Sequence, residues 1–332
     1  MAPRLATVFG GSGFVGRHVV QRLTSKGWRV RIAVRDPDGA AQLRPLGEVG
    51  QVVPVFADIS SEASTRAAVE GAQWVFNTVG ILTERGRNQF HTVHVDGARH
   101  IAVAAKAAGA TALVHVSAIG ADAGSPSAYA RSKAAGEAAV LAAFPDARIL
   151  RPSIVFGPED DFINRFAALS SISPMLPVFV TDGHLFPTAG TVGCPLFGSG
   201  GTKFQPVYVG DVADAILAAA ASPDQAGKTF ELGGPRIFSL KQLLELILST
   251  IGRHRILLPL PMAVAKFQAF FLQYLPNPPL TPDQVILLSK DNVVTAGSLG
   301  LAALGIVPTA IETIVPGYLG RFHNPYAPAV GV

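Results

Sequence analysis

Apolar residues along the first half of the chain fall into two alternating patterns, short runs of strand length and longer stretches with helical spacing. Leu5 to Phe9 is the first run, after which Val15, Val19 and Leu23 recur at helical spacing until Gly27 stops them. Trp28 to Val34 alternates as a strand, and Val52 to Phe56, Gln73 to Val79, Ala112 to Val116 and Arg148 to Leu150 supply the third to the sixth. Between them, Ser61 to Glu70 reads as a helix ended by Gly71. Phe90 to Ala108 reads as a longer one ended by Gly109, with Phe90, Val93, Gly97 and Ile101 on one stripe. Strands alternating with helices predict a parallel sheet covered by helices on its faces, an α/β architecture.

From Arg151-Pro152 onward the punctuation changes. Between Ser173 and Gly201 the chain carries Pro174, Pro177, Pro187, Pro195 and many glycines without helical periodicity, which predicts a long loop or hairpin insertion at 171–203 over the substrate cleft. Phe204 to Val209 returns as a strand, Asp211 is the expected cap of a helix from Val212 to Ala221, and Lys228 to Leu232 is a short strand. Ser239 caps an amphipathic helix with Leu240, Leu243, Leu244, Ile247 and Ile251 inward. Ile256 to Pro261 leads to a helix with Phe267, Phe270, Phe271 and Tyr274 at i, i+3, i+4 and i+7. Core packing is the default for that stripe, and a surface that docks on a membrane protein or bilayer is the alternative. Thr281-Pro282 opens another helix, and the tail from Gly317 is rich enough in Pro, Gly and aromatic residues to be an arm that orders on a partner. We expect a first domain over residues 1–151 and a smaller substrate or docking lobe over 152–332, interleaved with the first.

Chemistry enters at the first strand-to-helix turn. The glycines of Val8 to Gly16 fall as Gly10-x-x-Gly13-x-x-Gly16. They allow a tight turn, an approach of backbone to pyrophosphate, and close packing of helix on strand, while the helix that opens at Phe14 offers unpaired N–H groups to the anion. This makes the expected fold a Rossmann-type doubly wound parallel sheet with a smaller C-terminal α/β lobe. Gly10, Ser12, Gly13, Phe14, Val15 and Gly16 are the candidate phosphate cradle. About twenty residues past it stands Arg35, where an acidic residue would bind the ribose of NAD and an arginine offers donors to the 2′-phosphate of NADP. NADP(H) is therefore favoured, with NAD(H) the alternative if Arg35 is only a solvated strand-end charge. Asp58 and Ile59, past the third strand, are candidates for the adenine edge, although Asp58 also reads as a helix-entry residue. Val79 and Gly80, past the fourth, would lie along the dinucleotide, small enough to let the backbone approach.

The fifth strand delivers Ser117 to its C-terminal end, the edge at which open α/β sheets bind ligands. Tyr129 and Lys133 follow, one turn apart on a helix. A phenol with its ordinary pKa of about 10 is a poor base at neutral pH, and a nearby ammonium favours its ionised form. Tyr129 is thereby the candidate proton carrier, Ser117 the group that holds the substrate oxygen, and Lys133 the grip on the nicotinamide ribose. His91, His94 and His100 share one predicted helix. No third metal ligand follows the pair three residues apart, so a polar or partly buried helix face is expected rather than a metal site.

Composition narrows the picture. A chain of 332 residues with 49% hydrophobic and 15% charged residues buries a large core and leaves few charges for its surface, which favours partners. A net charge of +4 without a Lys/Arg run gives no basis for a nucleic-acid role. Cys194 is the lone cysteine, which excludes an intrachain disulfide and fits a reducing cytosol. The opening residues run straight into a strand with no signal-peptide pattern, and no apolar run reaches membrane-spanning length, so a cytoplasmic, soluble or peripheral protein is expected.

The glycine loop, Asp58, Ser117, Tyr129-x-x-x-Lys133 and Arg151-Pro152-Ser153-Ile154-Val155-Phe156-Gly157-Pro158 together resemble the short-chain dehydrogenase/reductase superfamily, on its extended and atypical side. Within it, Ser117 to Ala121, Tyr129 to Glu137, Phe204 to Ala213, and Thr281 to Val285 running on to Asp291-Asn292-Val293 are similar to the NADPH-binding accessory subunits of respiratory complex I and their bacterial relatives. The resemblance covers nearly the whole chain. It implies tightly held NADPH as a structural or regulatory ligand, with Pro152 and Ile154 joining the cofactor-binding set. It also implies respiratory NADH dehydrogenase subunits as partners, at the cytoplasmic face of the inner membrane. The alternative is an active oxidoreductase or epimerase using Tyr129 and Lys133 on a small molecule the sequence does not name. Two features depart from many extended enzymes, the short spacing between Ser117 and Tyr129 and a histidine, His94, where many carry asparagine.

Overall fold

The computed structural model describes residues 4–180, 197–275, 278 and 280–323; Pro187, Cys194, Pro195, Pro276, Asn277, Pro279 and the tail beyond His323 lie outside them. In chain order the strands are β1 (Leu5–Phe9), β2 (Arg29–Val34), β3 (Val52–Phe56), β4 (Trp74–Asn77), β5 (Ala112–Val116), β6 (Arg148–Pro152), β7 (Val155–Phe156), β8 (Met175–Val180), β9 (Lys203–Phe204), β10 (Val207–Tyr208), β11 (Thr229–Leu232), β12 (Phe238–Ser239) and β13 (Ile256–Pro261). The helices are α1 (Phe14–Ser25), α2 (Glu62–Val69), α3 (Gly97–Ala107), α4 (Ala128–Ala143), α5 (Phe162–Ile172), α6 (Val209–Ala221), α7 (Leu240–Thr250), α8 (Met262–Leu272), α9 (Pro282–Leu287) and α10 (Ile311–Leu319). They divide into two units.

The first unit takes Met1–Pro152, Val209–Leu232 and Val294–Val307. Its parallel sheet runs β11-β6-β5-β4-β1-β2-β3, the doubly wound order in which β1 is flanked by β2 on one side and β4 on the other. Strands buried on both faces read as near-continuous apolar runs, as β5 does with all of its residues buried and only His115 polar. Phe9, Val75, Leu113 and Ile149 meet Ile101 of α3 and Val140 of α4 in one core cluster, while α6 packs against α1. Arg148 is buried on β6, and its guanidinium donates to the carbonyls of Ala219 (3.1 Å) and Ser222 (3.2 Å), closing the end of α6 onto the sheet.

The second unit takes Ser153–Tyr208, Gly233–Val293 and Pro308–Val332. Its core gathers Phe156, Ile163, Leu176, Val178, Leu240, Leu244 and Ile247 around short ladders, β7 with β10, β9 with β12 and β8 with β13. Both predicted caps close into full capping boxes, Ser239 with Gln242 and Thr281 with Gln284, the latter with Pro282 in the first turn.

Several expectations need correcting. The stretch from 171 is not loop at its start: α5 runs to Ile172 and β8 follows, paired in parallel with β13. Its prolines sit in a ladder that is two-stranded among the described residues, and an edge of such a ladder is the place a residue without an N–H is tolerated. Phe204 to Val209 is two strands, interrupted at Gln205-Pro206. Asp211 does not cap α6, which already starts at Val209 and leaves Asp211 buried in its first turn. The long helix from Phe90 begins with a π-helical turn over His91–Asp96 before α3. The aromatic stripe of α8 and the turn after it does not enter the core: Phe267, Phe270 and Phe271 on the helix and Tyr274 just past it are 67%, 54%, 57% and 76% exposed, while Ala265 and Ala269 fill the buried side. Of the tail from Gly317, the described part finishes α10 and continues as a 3-10 turn over Gly320–Phe322, and the remainder of the expected arm lies outside the described residues.

Candidate functional site

Gly10 follows β1 in the left-handed region at φ +73°, which a side chain rarely adopts. The N–H of Gly13 donates to its carbonyl at 2.9 Å, closing the turn. A Cβ on Gly16 would stand 2.1 Å from that same carbonyl oxygen, so α1 rests on the loop at a distance only glycine permits. Gly13 precedes α1 without a side-chain cap, and no acidic residue lies in the first turn, which leaves the helix N-terminus electrostatically open to an anion. Ser12 is exposed beside it, with Phe14 and Val15 half-buried.

Arg35 follows β2 directly and is exposed, its Nη1 donating to Asn88 Oδ1 at 2.9 Å. The backbone N–H and hydroxyl of Ser60 donate to the Asp58 carboxylate at 2.9 and 2.7 Å and hold it below the usual carboxylate range, helped by Arg35 and Arg87. Ile59 packs against Gly97, where a Cβ would fall 2.6 Å from its Cδ1. At the end of β4, Asn77 Oδ1 accepts from the N–H of Val79 (3.1 Å) and Thr78 Oγ1 donates to the Phe9 carbonyl (2.8 Å), which fixes the start of the loop carrying Val79 and Gly80. A Cβ on Gly80 would lie 3.8 Å from Lys133 Nζ and 3.9 Å from His94 Nε2.

That spot is where the catalytic candidates gather. Ser127 caps α4 and thereby presents Tyr129 and Lys133 from its first turns. Lys133 is buried, its ammonium donating to the Val116 carbonyl at 3.0 Å, and burial pulls its pKa down to about 8 against the pull of Glu137. Tyr129 is half-buried with its ring edge-on to His94, 5.5 Å between centroids. Ser117, one residue beyond Val116, is buried and its hydroxyl has no hydrogen-bond partner among the described residues. A buried hydroxyl left so is costly unless a ligand supplies its partner. The glycine cradle and this hydroxyl therefore both fit a nucleotide with a polar group at its reactive end. Pro152 ends β6 buried, its carbonyl accepting from the N–H of Ile119 at 3.0 Å; Ile154 belongs to the second unit, where its carbonyl accepts from the N–H of Val207 at 2.9 Å.

Residues 6–233 match the NAD dependent epimerase/dehydratase family. The chain belongs to this family. It is 36% identical over 333 residues to the mitochondrial NADH dehydrogenase (ubiquinone) 1 alpha subcomplex subunit 9 of Arabidopsis thaliana, covering 96% of this chain and 78% of that one. It is also 36% identical over 311 residues to the same subunit of Mus musculus, covering 93% and 78%. Among solved structures, the NADPH-dependent quinone oxidoreductase of Escherichia coli complexed with NADPH shares its fold, with a TM-score of 0.70 at 20% identity over 94% of this chain and 99% of that one.

In this epimerase/dehydratase chain, three parts of the site escaped sequence reading. On the helix face expected to be polar or partly buried, His94 is the buried member, and what the sequence did not show is that both of its ring nitrogens are engaged. Asn77 and His115, buried on adjacent strands, meet at 3.0 Å, and burial holds His115 neutral. Arg151 grips Glu137 of α4 with two bonds (2.9 and 2.6 Å) and reaches Glu231 of β11 at 3.6 Å, which anchors α4 one turn beyond Lys133. The signal for this last was present, since Glu137 lies one turn past Lys133 on the same helix. Among the described residues no helix is long and apolar enough to cross a membrane.

Proposed function

We propose that this chain holds NADP(H) in its first unit and serves as a peripheral accessory subunit of a respiratory NADH dehydrogenase, on the cytoplasmic face of the membrane. The observation that carries the reading is relatedness to NADH dehydrogenase subunits over 96% of the chain rather than over the nucleotide fold alone. The loop Gly10 to Gly16 would take the pyrophosphate, and Arg35, steadied by Asn88, the 2′-phosphate. The exposed aromatic face of α8 supports contact with the bilayer or a membrane subunit, because aromatic rings with one wet edge favour that interface. Membrane fractionation followed by a native gel tests the assignment: the chain is expected to migrate with a large NADH dehydrogenase assembly, and a wholly soluble monomer or dimer sinks it.

A second reading, turnover as an oxidoreductase or epimerase, is favoured by the buried Ser117 hydroxyl, which has no hydrogen-bond partner among the described residues and follows Val116, whose carbonyl takes the Lys133 ammonium. The nucleotide, when bound, supplies a hydride donor or acceptor. Ser117 would hold a substrate oxygen, Tyr129 would move a proton at its phenol oxygen, and Lys133 would lower the energy of the phenolate. On that reading Tyr129→Phe abolishes NADPH-dependent reduction with little change in nucleotide affinity, and an unchanged rate rejects Tyr129 as the proton donor.

A further inference from the structure

His94 carries a proton assignment that its neighbours determine. The backbone N–H of Ile81 donates to Nε2 at 3.0 Å, so Nε2 offers a lone pair and the ring proton sits on Nδ1. Nδ1 faces Ser132 Oγ at 2.8 Å, and Ser132 spends its own hydroxyl proton on the Tyr129 carbonyl at 2.7 Å. Donors and acceptors match along the whole chain only if His94 is neutral. Burial and the nearby Lys133 ammonium keep it so. With both nitrogens committed, the ring has no free donor or acceptor for a substrate, so it is not an acid or base.

We propose that His94 is a positioning residue for the nicotinamide end of the nucleotide site, a role that rests on the nucleotide-binding reading above. The ring joins two segments distant in sequence: the loop Thr78 to Ile81 that leaves β4, and the first turn of α4 that bears Tyr129. Phe90 stacks on one side of the ring at 5.5 Å and the edge of Tyr129 meets it at the same distance, which removes its freedom to turn. The π-helical turn over His91–Asp96 delivers it, and such turns concentrate at functional sites. Gly136 of α4 approaches this turn so closely that a Cβ there would stand 2.1 Å from the His94 carbonyl oxygen, so α4 and the turn share one register. Gly80 lies between the ring and Lys133, next to the Ile81 amide that the ring holds. His94 thus sets where the Gly80 backbone stands relative to Tyr129 and Lys133, while the adenosine end is fixed by other residues.

The test compares two nucleotides by calorimetric titration of the full chain: NADPH, and adenosine 2′,5′-bisphosphate, which lacks the nicotinamide half. His94→Leu is expected to weaken NADPH tenfold or more and to leave the bisphosphate within twofold. Ser132→Ala, which removes the Nδ1 partner together with the hydroxyl's bond to the Tyr129 carbonyl while leaving the His94 ring in place, should weaken NADPH in the same direction by roughly threefold. Equal loss of both nucleotides in a folded His94→Leu, or no loss of either, overturns the proposal. Should His94→Leu fail to fold, Ser132→Ala decides: unchanged NADPH affinity overturns it. If the unaltered chain binds neither nucleotide, the nucleotide-binding reading falls first, and the positioning role with it.

Discussion

Replacing Lys133 by methionine exchanges a buried ammonium for an apolar chain of similar length, and the structure gives the expected gain a size. Burial brings the lysine from its ordinary 10.5 down to about 8. At pH 7, below both values, this amounts to about 3 kcal/mol against the folded state. The substitution removes that burden but leaves the Val116 carbonyl without its 3.0 Å donor, which costs about 1–2 kcal/mol. Lys133→Met should therefore be about 1–2 kcal/mol more stable than the unaltered chain at pH 7, a rise in Tm of about 1.5–3 °C. The pH dependence fixes the cause. Because the folded pKa is depressed, the burden is complete below pH 8 and fades between pH 8 and 10.5, as the unfolded lysine loses its proton too. The advantage of the variant should shrink over that window and reverse by about pH 10. Paired thermal or denaturant melts at pH 7 and pH 10 measure the difference, in which groups common to both proteins cancel. A variant less stable than its parent at pH 7, or a difference that ignores pH, refutes the account of Lys133 as a buried charge kept for its chemistry.

Gly16→Ala would push a Cβ to 2.1 Å from the Gly10 oxygen, so α1 must withdraw by about 1 Å; NADPH affinity should fall at least tenfold, and titration showing an unchanged constant removes the cradle from the site. Arg35→Ala is expected to weaken NADPH tenfold or more and NADH by less than twofold, and equal effects on the two would end its assignment to the 2′-phosphate. In the second unit, Tyr318→Phe deletes a 2.7 Å bond to the buried Asp160 carboxylate, which also caps the start of α5 through the N–H groups of Ile163 and Asn164. A loss of about 1.5–3 kcal/mol in chemical denaturation is expected, and a change under about 0.5 kcal/mol would show that Asp160 finds its satisfaction elsewhere.

What could be read from the sequence was what is local. The cradle needs glycines at fixed offsets within one turn, and Tyr129 and Lys133 need only a helix between them, so both were legible residue by residue. The pairing of β11 with β6 was not, because hydrophobic runs carry no address for a partner eighty residues away. The π-helical turn at His91 changes the periodicity for too few positions to show against a helical stripe. The orientation of the α8 aromatics was illegible for a different reason. A stripe at i, i+3, i+4 and i+7 defines a face but not the side on which it lies, and alanines at 265 and 269 gave the packing surface no volume to advertise. His94 belongs to the same class, since its partners Ile81 and Ser132 come from other elements and only the fold joins them.

The edge position of β11 also governs how the chain emerges from the ribosome. When residue 152 has been made, six of the seven strands exist, yet β6 has an open side and Arg151 lacks the second of its two carboxylate partners. The nascent N-terminal portion must wait some eighty residues for the segment that seals it, during which an unpaired apolar border is available to a neighbouring polypeptide. Expression of residues 1–152 alone should for that reason give aggregates, whereas adding the C-terminal fragment as a separate chain during refolding should recover soluble material.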